Sequence, residues 1–238
     1  MTPLASRLSD LVSDVLFTTA RISEVSELST CFVKVRLASE AFRRTQWIPG
    51  DKLQIRPQRG SLRMRAYTPI NWDRRAGSTD LIAFRHGDGP GARWFEDAAV
   101  GTDCDVFGPS RSLDLSDVAP SAVFVGDETS VALAHALHSV NPADRYLYET
   151  TDPSALMAVL TALGLAENVK VMDKSDNHDA LLQLIIESVQ SPGEPSDLIV
   201  SGDAATVSAV RRGARRWGDY RPQIKARAYW AHGRTGLS

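Results

Sequence analysis

The rhythm of apolar residues changes once along the chain, near residue 118, and that change limits the fold more than any other feature. Before it, apolar residues alternate with polar ones in short runs: FTTARISEV (17–25), CFVKVRL (31–37), KLQIRP (52–57), RMRAYTP (63–69), DLIAFRH (80–86) and CDVFGP (104–109). Alternation with period two puts one face of each strand in a core and the other toward solvent. Turn signals separate the runs, at Pro49-Gly50-Asp51, Arg59-Gly60-Ser61 and Ala76-Gly77-Ser78. Six short strands with one helix around 90–98 predict an antiparallel barrel or sandwich.

After the change, fully apolar strands alternate with helical patterns. AVFVG (122–126), RYLYET (145–150), NVKVMD (168–173) and DLIVSG (197–202) each precede a helix, the third of these running from about Asn177 to Val189. A last strand, Ile224–Trp230, closes the series. Strand–helix alternation of this kind predicts a doubly wound parallel sheet. The stretch QSPGEPSD (190–197) reads as a surface loop inside this half. The expected organisation is an amphipathic helix within 1–16, a β domain over 17–118 and an α/β domain over 119–238. The helix rests on Leu4, Leu8, Leu11, Val12 and Val15 at helical spacing.

A formal net charge of -2 provides no global basic field for nucleic acid or an anionic membrane. No apolar stretch approaches the ~18 residues of a membrane span, and Asp10 and Asp14 break any secretory pattern. The cytoplasm is the expected compartment. Cys31 and Cys104 sit in apolar strand-like runs and read as buried thiols, with no metal-ligand spacing around them.

Four stretches carry chemistry-bearing residues. In RAYT, alternation places Arg65 and Tyr67 on one face and Ala66 and Thr68 on the other. A tyrosine ring covers an aromatic ligand, and an arginine fork binds a phosphate in two places. Taken by themselves, the four residues read first as an ordinary strand with one solvent-exposed arginine and a packed tyrosine. In FRHGDGPGARWF (84–95), Gly87, Gly89 and Gly91 lead with Pro90 into a helix. Glycine lets a phosphate approach backbone amides there, although a plain hairpin exit has the same composition. FVGDETSVALAHAL (124–137) turns from a buried strand into a helix at Asp127 and Glu128, natural capping acids that repel a phosphate. His135 and His138 read as structural. In the last stretch, Arg211, Arg212, Arg215 and Arg216 form a basic helical face, either solvated or facing a cofactor 2'-phosphate or an electron-donor protein. Glu149, ending the second α/β strand, is placed to bond ribose hydroxyls.

In order, these motifs resemble the siderophore-interacting proteins, FAD-dependent ferric-siderophore reductases on the ferredoxin-reductase-like plan. The matching residues are Arg65-Ala66-Tyr67-Thr68, His86-Gly87, Gly89-Pro90, Arg93-Trp94, Gly108-Pro109, Gly126-Asp127-Glu128-Thr129, Gly202-Asp203 and Tyr229-Trp230-Ala231-His232-Gly233. The resemblance implies an antiparallel FAD-binding barrel followed by an NAD(P)H-binding α/β domain. Arg65, Ala66, Tyr67 and Thr68 would line the flavin. His86, Gly87 and the loop of Gly89, Pro90, Gly91, Ala92, Arg93 and Trp94 would hold the pyrophosphate and adenosine side. Asp127, Glu128, Thr129 and Trp230 would serve the nicotinamide donor. Electrons would pass from NAD(P)H, or a ferredoxin-type protein, through FAD to a ferric siderophore or other ferric chelate. No protein acid, base or nucleophile is needed for that.

The chain departs from the family pattern at anion-binding positions. Ile70 stands where a second arginine usually follows RxYT, and Ala92 where a serine is common. Gln54 and Ala231 replace basic residues associated with siderophores; Arg56, Arg111 and Arg234 are the candidates to compensate. Two alternatives therefore stand beside the ferric reductase: a flavin reductase acting on haem, a quinone or a biosynthetic intermediate, and a non-catalytic flavin- or nucleotide-binding module.

Overall fold

The computed structural model describes residues 17–58, 63–119, 121–143, 145–189, 197–218 and 222–233. The helix expected within 1–16, and Arg234, lie outside them. Two compact units divide between Arg111 and Ser112, with Ile48–Gly50 clustering with the second. The reason is local. Leu113 N donates to Gly50 O at 3.1 Å, and Leu113, Leu115 and Val118 are buried.

The first unit holds β1 (Thr18–Glu27), β2 (Phe32–Ala38), α1 (Glu40–Arg44), β3 (Lys52–Arg56), β4 (Arg65–Tyr67), β5 (Ile70–Asp73), β6 (Ser78–Phe84), α2 (Pro90–Glu96) and β7 (Asp103–Ser110). Seven strands therefore replace the six expected, and α2 ends two residues early. The sheet order is β4-β3-β7-β1-β2-β6-β5. Its two edge strands, β4 and β5, are joined by Thr68 and Pro69 alone. Laid flat, seven strands would separate those edges by about 29 Å. Two linking residues bridge roughly 10 Å. The sheet must therefore curl into a barrel. Alternation fills it as expected: Ile22, Val33, Val35, Leu53, Ile55 and Val106 point inward, and Phe95 of α2 joins the same core. Cys104 is buried as expected, whereas Cys31 is only half-buried.

A buried carboxylate ties the barrel wall together. Asp80, fully buried, accepts from Arg36 Nε at 2.7 Å and Nη2 at 3.1 Å, and from Asn71 Nδ2 at 3.0 Å. Breaking a buried pair by removing one partner costs about 3–5 kcal/mol. The Arg36 side chain is 39% exposed, so water screens part of that. Arg36→Met is expected to lower stability by about 2 kcal/mol in urea denaturation. A change under ~0.5 kcal/mol, the range of a neutral surface substitution, would show that Asp80 needs no cation.

The second unit holds β8 (Val123–Gly126), a 3-10 turn (Glu128–Ser130), α3 (Val131–Val140), β9 (Arg145–Thr150), α4 (Pro153–Ala162), β10 (Val169–Asp173), α5 (Asp179–Val189), β11 (Leu198–Asp203), α6 (Ala204–Ala214) and β12 (Ile224–Trp230). The order is β10-β9-β8-β11-β12, and every pair is parallel. Val123, Val125, Leu147 and Val200 pack with Ile185 of α5 and Val210 of α6. Phe124, Tyr146 and Tyr148 form an aromatic row by turning the other way. The sheet is thus covered on both faces, and the strand order reverses beside β8. Sheets of this kind take ligands at the carboxyl ends of the strands beside such a reversal.

Candidate functional site

In the first unit, β4 and the start of α2 meet at a glycine. A Cβ built on Gly91 would stand 2.6 Å from the Tyr67 hydroxyl and 3.4 Å from Arg65 Cγ. A larger residue would push the helix off the strand, so Gly91 is what lets RAYT and GPGARW share one corner. Arg65 and Tyr67 are both half-buried and share a face, while Ala66 is exposed and Thr68 buried. The Tyr67 ring meets Phe95 edge-on at 5.0 Å, and Phe95 meets Trp94 edge-on at 4.7 Å. Burial pushes the Tyr67 phenol up to about 12, against the pull of the Arg65 charge. Tyr67 therefore keeps its proton and can donate as well as accept.

The loop before α2 is open. His86 stacks on Phe84 at 5.2 Å. Gly87 adopts φ +60, and a Cβ on Gly87 or Gly89 would meet nothing within 4 Å. Pro90 is the first residue of α2, whose cap, Gly89, makes no side-chain bond. The first amides of the helix have no partner within it. Beside this corner lies a cleft of about 560 Å³ between α2, the end of β3 and the start of β7. Arg56 borders it but is held inside: its guanidinium pairs with Asp105, its side chain is 8% exposed, and it covers the Phe17 ring at 4.4 Å. Arg111 is exposed.

In the second unit, the carboxyl ends of the strands are wired to one another. Asp127, buried, accepts from Thr129 N at 2.9 Å and Thr129 Oγ1 at 2.6 Å. It also accepts from Asp203 N at 2.9 Å and Trp230 Nε1 at 2.7 Å. Burial raises the Asp127 carboxyl above its ordinary range, against the hydrogen bonds from Thr129 and Trp230. Glu128 Oε1 accepts from Thr150 Oγ1 at 2.5 Å and Thr151 N at 2.8 Å. Lys174 Nζ bonds Asp203 at 2.7 Å and lies 4.4 Å from the Trp230 ring centre. Burial pushes Asp203 upward, but the Lys174 bond and the Ala205 amide outweigh it and hold the carboxyl low. Asp127, Glu128, Thr129 and Trp230 thus lie together, with the two acids turned into the protein.

Two expectations change here. Glu149 is 1% exposed and bonded to His178 Nδ1 at 2.6 Å, so it is closed to a ribose. Arg211 Nη2 donates to Ala226 O at 3.3 Å. That is four residues, or about 13 Å, short of the carboxyl end of β12. The following arginines lie further away, so the basic face of α6 cannot meet a 2'-phosphate held at those ends. It suits the negative end of the helix dipole instead. Lys174 and His178 were not singled out from sequence. Their signal was position, since both lie in the loop leaving a parallel strand at its carboxyl end.

Residues 4–113 match the family model of the siderophore-interacting FAD-binding domain. The chain carries a siderophore-interacting FAD-binding domain. No curated protein sequence matches the chain. Among solved structures, the chain is similar to the siderophore-interacting protein SipS from Aeromonas hydrophila, with a TM-score of 0.73 at 20% identity, covering 92% of this chain and 93% of that one. It is also similar to a siderophore utilization protein from T. fusca, with a TM-score of 0.71 at 18% identity over 93% and 95%. Phthalate dioxygenase reductase follows at 0.70 and 18%, over 92% of this chain and 70% of that one. At these identities the likeness is one of fold. The fold is ferredoxin-reductase-like, with the siderophore-interacting FAD-binding domain forming its barrel.

Proposed function

We propose that the protein is an FAD-dependent oxidoreductase that passes electrons from NAD(P)H, or a ferredoxin-type donor, to a ferric siderophore or other ferric chelate, releasing Fe(II). The observation that carries this reading is the Arg65–Tyr67–Gly91 corner within a domain matched to FAD-binding proteins. Arg65 would neutralise the pyrophosphate with its fork, beside the first amides of α2. Tyr67 would cover the ring system with its own ring and keep its hydroxyl protonated. Gly87 and Gly89 would leave the loop open to phosphate oxygens. Bound FAD would supply the exchange between a hydride donor and a one-electron acceptor. Asp127 would fix the Trp230 ring by its N–H. Hard oxygen chelators hold Fe(II) less tightly than Fe(III), so reduction would release the metal. Phthalate dioxygenase reductase, described as a modular structure for electron transfer from pyridine nucleotides to [2Fe-2S], supports a nicotinamide donor by fold analogy alone.

A second reading has its own observation. Ile70 is fully buried, and Gln54 and Ala231 are uncharged. The anion contacts of a siderophore are thinned, which favours a neutral acceptor. One experiment addresses both. Anaerobic NADH or NADPH is expected to bleach the flavin absorbance. Adding a ferric hydroxamate or catecholate should restore it, while a ferrous chelator reports Fe(II). Faster return with haem or a quinone would favour the second reading. No bound or reconstitutable flavin would end both.

A further inference from the structure

We propose that the cavity between the last turn of α6 and the start of β12 binds a dianionic phosphate group, gripped by Arg211 and Arg215. The site belongs to the second unit and lies at the opposite end of its sheet from Asp127 and Trp230. It does not rest on the oxidoreductase reading.

Charge gives the first argument. Arg211, Arg212, Arg215 and Arg216 are all exposed. Among the described residues, none of them pairs with a carboxylate. An arginine keeps its charge at any working pH, so α6 and its cap end on four positive charges. The helix dipole answers with only about half a negative charge. Like charges one turn apart repel, and Arg211 faces Arg215 as Arg212 faces Arg216. A solvated face ordinarily intersperses both signs. This one does not, in a chain whose net charge is -2. The surplus suits an anion.

The first of these pairs borders a cavity. Arg211, Ala214, Arg215, Pro222 and Ile224 line about 490 Å³, within the ~300–1,000 Å³ of small-molecule pockets. The walls are fixed. A Cβ on Gly213 would stand 3.3 Å from Leu182 Cδ2, so α6 lies tight against α5, and the buried Trp217 anchors its end. Arg211 Nη2 donates to Ala226 O at 3.3 Å. That bond ties the guanidinium to β12 and leaves most of its five N–H donors unused. Arg215, one turn on, brings a second fork about 6 Å away at Cβ. Two forks suit the several oxygens of a phosphate, whereas a carboxylate offers two. The last carbonyls of α6 repel an anion, so the forks must hold it rather than the backbone. Ala214, Pro222 and Ile224 leave an apolar surface for the organic part of an ester. Ile224 starts β12, opposite Leu198 at the start of β11. Trp230 ends the same strand, about 20 Å further on, so a nucleotide at the carboxyl ends would be a separate ligand.

The test is calorimetric titration of the full chain with inorganic phosphate and with phenyl phosphate, at an ionic strength held constant with chloride. Arg211→Ala and Arg215→Ala should each weaken phosphate at least about tenfold. Arg212→Ala and Arg216→Ala remove the same charge beside the cavity without lining it, and should leave affinity within about twofold. Phenyl phosphate should bind more tightly than phosphate, because its ring covers the apolar wall. Equal losses in all four variants would mean a diffuse positive field, and no saturable binding below about 50 mM would mean solvated arginines. Either result overturns the proposal. Phosphatidylcholine vesicles containing phosphatidic acid then separate two sources of the same group. Flotation with the vesicles, lost in Arg215→Ala, supports the site with a lipid headgroup in it. Saturable phosphate binding without flotation supports it with a soluble ester.

Discussion

Arg65→Ala is expected to weaken FAD binding by roughly a hundredfold, about 3 kcal/mol, with little change in the stability of the protein itself. Hydrogen bonds to charged groups contribute about 1.5–3 kcal/mol each, and an arginine fork presents two to a phosphate. Among the described residues, Arg65 makes one hydrogen bond, from Nη1 to the adjacent Met64 O at 2.9 Å. Truncation therefore removes the ligand's cation without opening the core. Arg65→Lys keeps the charge but not the fork, and should recover only part of the loss. The measurement is flavin affinity by fluorescence quenching, set beside urea denaturation of the flavin-free protein. If affinity falls less than about threefold while the fold is intact, Arg65 is a surface arginine and the phosphate lies elsewhere.

The parts of the Arg65–Tyr67–Gly91 corner were local signals, but their meeting was not legible in the sequence: the glycines of 84–95 read as room for a phosphate, whereas Gly91, inside α2, makes room for the Tyr67 hydroxyl. Alternation in RAYT did put Arg65 and Tyr67 on one face. The strands of both halves were readable for the same reason, since their apolar spacing is set by the core they face. What failed had no local signal. β5 follows Pro69 and carries Asn71 at φ 52, so its four residues do not alternate cleanly. α1 has five residues, and Ser39 gives it no side-chain cap. Glu149 looked like a ribose ligand because it ends the second strand of the α/β half. The histidine that claims it stands 29 residues away, beyond any window of periodicity. The acids of GDET read correctly as capping groups, but the further donors to Asp127 come from Asp203 and Trp230, 76 and 103 residues downstream, and those to Glu128 from Thr150 and Thr151. Such long-range closure belongs to the folded sheet alone.

That closure makes Asp127 the most consequential residue of the second unit. Asp127→Ala is expected to destabilise the unit by about 4 kcal/mol, because buried donors left without an acceptor cost about 1–3 kcal/mol each. The hydroxyls of Thr129 and Ser130 can rotate away. The amide of Asp203 and the indole N–H of Trp230 cannot. The carboxyl group also packs on Gly202, where a Cβ would come within 2.5–2.6 Å of it. Asp127→Asn keeps one acceptor oxygen but turns an NH2 toward donors, so about 2 kcal/mol is expected there. Hydrogen exchange of the β11 and β12 amides isolates this unit from the barrel. A pH arm separates the charge from the hydrogen bonds. The folded carboxyl is raised above its ordinary value of 3.8, so the folded state keeps its proton to higher pH than the unfolded state does. The stability this contributes is fully present below that ordinary value, and is lost as pH rises through the folded value. The advantage of the wild type over Asp127→Asn should therefore shrink from acid toward neutral pH. An advantage that grows over the same range would mean that the ionised carboxylate, not the protonated one, is the form the fold prefers.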